Sequence, residues 1–380
     1  MRILADENMP YVTELFGGWG EITTRPGRAI SAADVANADL LLVRSVTRVD
    51  AALLASARQL KFVGSATIGC DHIDQSLLAE RATPFANAPG CNAPAVVDYV
   101  IASLFYAAQR SGRELQQLRY GVVGVGQCGG RLVNRLRALG VEVVCCDPPR
   151  QRREGLNDFV DIDTLIDHCD VISLHVPLLR SGPDTTHHLL NGTRLARLRP
   201  GALLINACRG EVVDNHALLG LLHQRPDVDV ILDVWEGEPE PLPPLVARAL
   251  IATPHIAGYS LEGKARGSWM LAERVSALLQ LPAPPALASL LPPPQLSQLQ
   301  LAAVPDWAQL GQLVHAVYQP LADDTRMRQS GLEAAGFDRL RRDYPQRREL
   351  AATRVTAPAE AHALLSGCGF TLNSPVEEQP

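Results

Sequence analysis

Residues 119–147 read RYGVVGVGQCGGRLVNRLRALGVEVVCCD. An apolar run leads into a glycine-rich turn, an amphipathic stretch follows, and a second apolar run ends on Asp147. Short continuous apolar blocks flanking a 3.6-residue spacing predict strand, turn, helix, strand. Gly124, Gly126 and Gly129 fit G-x-G-x-x-G at the turn. The first glycine allows a tight turn, the second lets backbone approach a pyrophosphate, and the third lets helix and strand pack closely. The helix N-terminus then offers unsatisfied N–H donors to an anion. Asp147 stands about 20 residues on, placed to accept hydrogen bonds from ribose hydroxyls. The stretch therefore predicts a dinucleotide site, and the acidic residue favours NAD over a 2′-phosphorylated cofactor. Arg150, Arg152 and Arg153 work against that preference, because a nearby guanidinium accommodates such a phosphate.

The same alternation extends both ways. Upstream, MRILA, DLLLVR, LKFVGSA and TPFANAP read as strands, with VDAALLASA as a helix between two of them. A long helix is expected over APAVVDYVIASLFYAAQR. Downstream, DVISLHV, GALLINA, DVILDVW and ALIATP read as strands, and SLEGKARGSWMLAERVSALLQ as a helix. Strands alternating with helices predict an α/β fold of two parallel-sheet units. At residues 281–295, LPAPPALASLLPPPQ is a stiff extended linker. Beyond it, about 300 to 370 reads as a small third domain, ending in the polar tail NSPVEEQP.

The chain has 380 residues, a net charge of -6, 47% hydrophobic and 20% charged residues. That is an ordinary globular composition. The acidic balance argues against nucleic acid as main partner. No apolar run reaches the ~18 residues of a membrane span, and MRILADENMP lacks the apolar core of a secretion signal. A cytoplasmic protein with no membrane partner is expected. The eight cysteines then read as reduced thiols, with Cys145 and Cys146 inside a strand. No metal site is expected.

Three segments carry candidate chemistry: LLINACRGEVVD with Arg209, VILDVWEGEPEP with Asp233 and Glu238, and IATPHIAG with His255. All lie at the carboxyl ends of expected parallel strands, the edge where open α/β sheets bind ligands. Oxidation of a secondary alcohol needs a base near working pH, which suits His255. A carboxylate beside it favours the imidazolium, which suits Glu238. A guanidinium grips a substrate carboxylate as a bidentate fork, which suits Arg209. After His255, the stretch HIAGYSLEGKARG adds Tyr259, Lys264 and Arg266. LLVRSVTRV supplies Arg44, Ser45, Thr47 and Arg48, and FVGSATIGCDHID supplies Ser65, Thr67 and Gly69. Hydroxyls with cations and a phenol suit a phosphate group.

The ordered series NAPGCNAPAV, GVGQCG, HVPL, NACRGEVVD, DVWEGEP and PHIAG resembles the D-isomer-specific 2-hydroxyacid dehydrogenase family. The resemblance implies Arg209 on the substrate carboxylate, Glu238 paired with the histidine, and His255 as proton donor or acceptor. It implies NAD contacts at Asp147, His175, Ala207, Arg209, Asp233 and Gly258, with His175 beside the cofactor and not a base. It implies a Rossmann-type NAD domain, residues 94–256, inserted in a flavodoxin-like substrate domain, residues 1–93 and 257–285. Residues 286–380, through FDRLRRDYPQRRE, are similar to a small C-terminal α+β dimerisation domain within the family, which implies a homodimer. The closer match of HIAGYSLEGKARG and VRSVTRV implies a phosphorylated small hydroxy acid as substrate, bound by Ser45, Thr67 and Tyr259, with Arg44 facing the phosphate. Two rivals stay open: a member acting on a different phosphorylated acid, and an NAD-sensing corepressor on the same scaffold. The cluster Arg339, Arg341, Arg342, Arg347 and Arg348 reads first as a solvated helix face. The sharper alternative is one arginine crossing a dimer to the partner's phosphate site.

Overall fold

The computed structural model describes residues 1–155 and 158–373. All of the polar tail except Asn373 lies outside the described residues. The chain divides into two compact units, Met1–Asn92 with Ser260–Pro293, and Ala93–Tyr259 with Pro294–Pro380.

The first unit carries β1 (Arg2–Asp6), β2 (Glu21–Arg25), β3 (Leu40–Val43), β4 (Phe62–Ser65) and β5 (Phe85–Asn87). They form one parallel sheet in the order β2-β1-β3-β4-β5. This is the flavodoxin-like order. Every residue of β3 and β4 is buried, because a parallel sheet is covered on both faces and its central strands have no polar side. Helix Leu261–Leu279 covers one face, packing Leu271, Ala272 and Val275 against Ile3, Leu40, Leu42 and Phe62.

Two features of this unit differ from the sequence reading. The strand β2, EITTR, is almost wholly exposed at the sheet edge, so it has no apolar alternation to announce it. Residues 51–56 form successive turns and no helix. Val49, Leu53, Leu54 and Ala57 are buried as a helical spacing requires. However, Val49 is committed to a parallel bridge with Ile73, and Asp50 Oδ1 takes the Leu53 N–H at 3.1 Å.

The second unit carries β6 (Arg119–Val123), β7 (Glu142–Cys146), β8 (Val171–Leu174), β9 (Leu203–Asn206), β10 (Asp229–Leu232) and β11 (Ile251–Ala252). Their order is β11-β10-β9-β8-β6-β7, all parallel. Beyond β7, an isolated bridge from Cys145 to Phe159 stands where a Rossmann sheet has its third strand. The chain order reverses between β6 and β8, which makes that crevice the switch point.

Residues 294–373 add β12 (Gln298–Gln300), β13 (Arg354–Thr356) and β14 (Thr371–Leu372), a small parallel sheet, with four helices of seven or more residues. The segment expected to begin a further domain at residue 286 lies, from Pro294 on, in one compact unit with residues 93–259. Leu310, Val314, Leu350, Val355 and Leu365 share one core with Val97, Ile101, Leu104, Phe105 and Leu139. Close approach explains the merger. A side chain at Gly311 would meet Phe105 at 3.1 Å, and one at Gly367 would meet Leu139 at 2.8 Å.

Asp98, on helix Ala93–Ser111, ties these parts together. It is buried, accepts from Arg135 Nη1, and accepts the Leu350 N–H at 2.8 Å. Burial pushes its pKa up, and the Arg135 charge opposes that rise. Removing one partner of a buried ion pair leaves the other charge uncompensated. We expect Asp98→Ala to lower unfolding free energy by about 3–5 kcal/mol in urea titrations; a change under about 1 kcal/mol would mean that Asp98 bears no such load.

Candidate active site

The sequence-predicted cofactor positions fall at successive carboxyl ends of the second sheet. Gly124 follows β6, Asp147 follows β7, His175 follows β8, Ala207 follows β9 and Asp233 follows β10. The glycine turn has the room a dinucleotide needs. Gly124 has φ 84, and a Cβ there would sit 2.6 Å from the His175 carbonyl. A Cβ on Gly129 would lie 1.9 Å from the Gly124 carbonyl, whereas nothing lies within 4 Å of one on Gly126. Helix Gln127–Ala138 starts at Gly126 with no side chain capping it. Its first N–H groups face an open approach suited to a pyrophosphate.

Asp147 caps the next helix, accepting from Arg150 N at 3.0 Å, and also accepts from Val125 N at 2.8 Å. The three neighbouring arginines are engaged. Arg150 pairs with Glu154 at 2.8 Å, Arg152 with Asp184 at 2.5 Å and Arg153 with Glu154 at 3.0 Å. This weakens the case for a 2′-phosphate. His175 Nε2 lies 2.8 Å from Ser173 Oγ, and its Nδ1 is buried without a partner. Burial pushes its pKa down to about 4, so it is neutral at working pH and unsuited to act as the base.

The NACRG turn is organised by buried Asn206, which donates to the Arg209 carbonyl at 2.9 Å and accepts from Cys208 N at 3.2 Å. A Cβ on Gly210 would strike the Trp235 backbone at 1.9 Å, so glycine is required beside Arg209. The Arg209 Nη1 donates to the Cys208 carbonyl at 2.7 Å.

The loop after β11 is fixed by buried Asp233. Its Oδ1 accepts from Thr253 Oγ1 at 2.6 Å and Ile256 N at 2.8 Å, and its Oδ2 from Ala257 N at 2.9 Å. His255 sits inside that loop at φ 56, a left-handed conformation uncommon for a side-chain-bearing residue. Its Nδ1 lies 2.8 Å from Glu238 Oε2, and Glu238 Oε1 accepts from Trp235 N at 2.9 Å. Burial opposes ionisation of Glu238, but His255, the Trp235 N–H and the Arg341 charge outweigh it and hold its pKa below the ordinary value. Arg209, Glu238 and His255 line a single recess of about 160 Å³, together with Gly210, Glu211, Trp235 and Gly237. Gly258 and Tyr259 follow directly, and Tyr259 N closes a turn onto the Ile256 carbonyl at 2.8 Å.

In the first unit, Arg44 and Ser45 follow β3, half-buried and exposed respectively. Thr67 follows β4, and its Oγ1 lies 2.8 Å from Ser65 Oγ and 3.1 Å from the Gly69 carbonyl. His72, which the sequence reading passed over, completes this group 2.9 Å from Ser65 Oγ, and burial lowers its pKa. Arg266 donates to the Cys91 carbonyl, so its head braces backbone.

Three further residues escaped the sequence reading. Among the described residues, His187, His188 and Glu236 are the cluster with metal-like composition. His188 Nε2 already pairs with Glu236 at 2.7 Å, and Glu236 also accepts from Asn215 N at 3.2 Å, so the group braces its loop. The arginine cluster is not one solvated face. Arg342 is exposed and pairs with Asp343 at 2.9 Å. Arg347 is buried, donates to the carbonyls of Ala95 and Ala257 at 2.7 and 2.6 Å, and stacks on Tyr318 at 4.1 Å. Arg341 lies over Tyr259 of its own chain, 5.8 Å from the ring centroid.

The family model for the NAD binding domain of D-isomer specific 2-hydroxyacid dehydrogenases matches residues 98–257, and a domain of unknown function matches residues 290–369. The erythronate-4-phosphate dehydrogenase of Ectopseudomonas mendocina is 52% identical over 371 residues, covering 96% of this chain and 97% of that protein. The enzyme of that name from Aeromonas hydrophila is 48% identical over 373 residues, covering 97% and 99%. This chain belongs to the D-isomer specific 2-hydroxyacid dehydrogenase family. Among solved structures, the TT0316 protein of Thermus thermophilus aligns with a TM-score of 0.63 and 29% identity, over 75% of this chain and 99% of that one. D-Lactate dehydrogenase from Aquifex aeolicus, solved with NAD and lactic acid, shares the fold at a TM-score of 0.60 and 24% identity, over 74% and 96%. The matching family model is that of an NAD binding domain, and the glycine turn, Asp147 and the orphaned His175 Nδ1 fit NAD here.

The neutral state of half-buried His175 sets a pH dependence. The unfolded chain protonates this ring below its ordinary 6.5, the folded chain only below about 4. Between those values the unfolded state binds the extra proton, so stability falls as pH drops through that window. His175→Asn should remove up to about 3 kcal/mol of the stability difference between pH 7 and pH 4. Urea titrations at both pH values measure it; an unchanged difference would contradict a depressed His175 pKa.

Proposed function

We propose that this chain oxidises 4-phospho-D-erythronate at C2, giving 3-hydroxy-2-oxo-4-phosphooxybutanoate and NADH, a step in pyridoxal 5′-phosphate biosynthesis. The observation that carries the reading is the recess where Arg209, Glu238 and His255 meet, in a chain that matches curated enzymes of that name along nearly their whole length.

In this reading Arg209 takes the C1 carboxylate as a fork. His255 takes the C2 hydroxyl proton at Nε2, the ring nitrogen not engaged by Glu238. Glu238 keeps the Nδ1 proton in place and stabilises the imidazolium that forms. NAD, when bound, accepts the hydride that leaves C2. Gly124, Gly126, Gly129, Asp147, His175, Ala207, Arg209, Asp233 and Gly258 form its binding surface. Ser45, Thr67 and Tyr259 bind substrate and Arg44 faces the phosphate. The enzyme works in the cytoplasm as a homodimer through its C-terminal segment, away from nucleic acid and membrane. Among the described residues no helix is long and apolar enough to cross a membrane.

Reduced-nicotinamide absorbance tests the reaction, with a 2-oxo acid supplied as acceptor in case the cofactor stays bound. Turnover of 4-phospho-D-erythronate well above that of 3-phospho-D-glycerate is expected; the reverse preference would place the chain elsewhere in the family. His255→Asn should retain NAD binding while kcat falls by about 10² or more, the usual loss for an acid–base group. A near-wild-type kcat would remove His255 from its role.

A further inference from the structure

Arg341 ends helix Ala334–Arg342 in the C-terminal segment. A basic helix end of this kind normally lies in solvent, as Arg342 does. Arg341 turns inward. Its guanidinium carbon lies 5.8 Å from the Tyr259 ring centroid and 5.9 Å from that of Phe337. Tyr259 is held edge-on by Tyr344, with ring centroids 5.7 Å apart. Tyr344 in turn donates to Asp323 Oδ2 at 2.7 Å. One face of the Tyr259 position is thus built by the C-terminal segment.

The Arg341 Nε is buried with no acceptor. A buried donor without a partner costs about 1–3 kcal/mol, more when charged, and calls for an explanation in function. Burial works against the cation, yet the Tyr259 phenol and the Glu238 and Asp233 carboxylates outweigh it and hold the group charged. A charged guanidinium therefore stands over Tyr259, four residues on from His255, within electrostatic reach of Glu238. Arg209 is the guanidinium among the residues lining the recess itself. A phosphorylated hydroxy acid has an anion at each end, and Arg209 can fork only one of them, which leaves the phosphate to further cations, Arg44 among them in the reading above.

Resting on the reading above, we propose that Arg341 is a specificity residue: it takes the phosphate of the substrate while Arg209 takes the carboxylate. It acts within its own chain, so the C-terminal segment completes the site it belongs to. An incoming phosphate oxygen supplies the acceptor that the Arg341 Nε lacks.

The test compares Arg341→Met, which keeps an apolar stem over Tyr259 and Phe337, with the wild type on 4-phospho-D-erythronate and on unphosphorylated D-erythronate. We expect KM for the phosphorylated acid to rise by about 30-fold or more, as when one partner of a desolvated charge pair is truncated. The preference for the phosphorylated over the plain acid should fall by a similar factor. NAD affinity, read by titration calorimetry, should stay unchanged. Arg341→Lys keeps charge and stem but loses the fork, so it should show a smaller loss in the same direction, and it carries the test if the methionine variant does not fold. An unchanged preference ratio in a folded, NAD-binding variant overturns the proposal alone. A wild-type chain that ignores 4-phospho-D-erythronate overturns the functional reading, and the proposal with it.

Discussion

The Asp233 carboxylate is the constraint on which the site depends. It sits buried just past β10 and accepts three hydrogen bonds from the loop that follows β11. Two come from consecutive backbone N–H groups directly after His255. A loop that bends through a left-handed histidine would relax if those donors had no acceptor, because such a conformation costs on the order of 1 kcal/mol or more. The neighbouring Trp235 reinforces the grip, donating from its indole to the Thr253 carbonyl at 2.9 Å. The imidazole therefore meets Glu238 through fixed backbone, with little left to side-chain flexibility.

The sheet supplies the rest. Parallel strands end together, so the loops carrying Asp147, His175, Ala207 and Asp233 open on one edge. The C-terminal segment takes part in the same construction. Arg347 reaches the Ala257 carbonyl from it, and Arg341 reaches Tyr259. Both contacts fall on the loop whose N–H groups Asp233 holds, so that loop is clamped from the sheet on one side and from the C-terminal segment on the other.

The glycine turn and the strand-end positions were legible in the sequence because each depends on a few neighbouring residues. Gly124 needs its positive φ whatever lies elsewhere, and Asp147 follows its strand by spacing alone. The pairing of His255 with Glu238 was legible through chemistry, since an imidazole and a carboxylate at adjoining strand ends find each other. The rest was hidden for physical reasons. The β2 strand has no buried face. Val49 looks helical by burial, but its backbone belongs to a bridge with Ile73. Arg341, Arg342 and Arg347 look alike in sequence, and only packing across the C-terminal segment separates an exposed ion pair from a buried stack. The merger of that segment with the core around helix Ala93–Ser111 was hidden too, because it rests on the absence of side chains at Gly311 and Gly367.

A double-mutant cycle on Asp233 and His255 tests the central claim, read as kcat at saturating substrate and cofactor. If Asp233 acts by holding His255, then Asp233→Asn should cost about 10² or more in the native background and less than about 3-fold once His255 is already Asn. Losses that simply multiply would show that the carboxylate serves the reaction independently of the histidine, and the account of a clamped catalytic loop would be wrong.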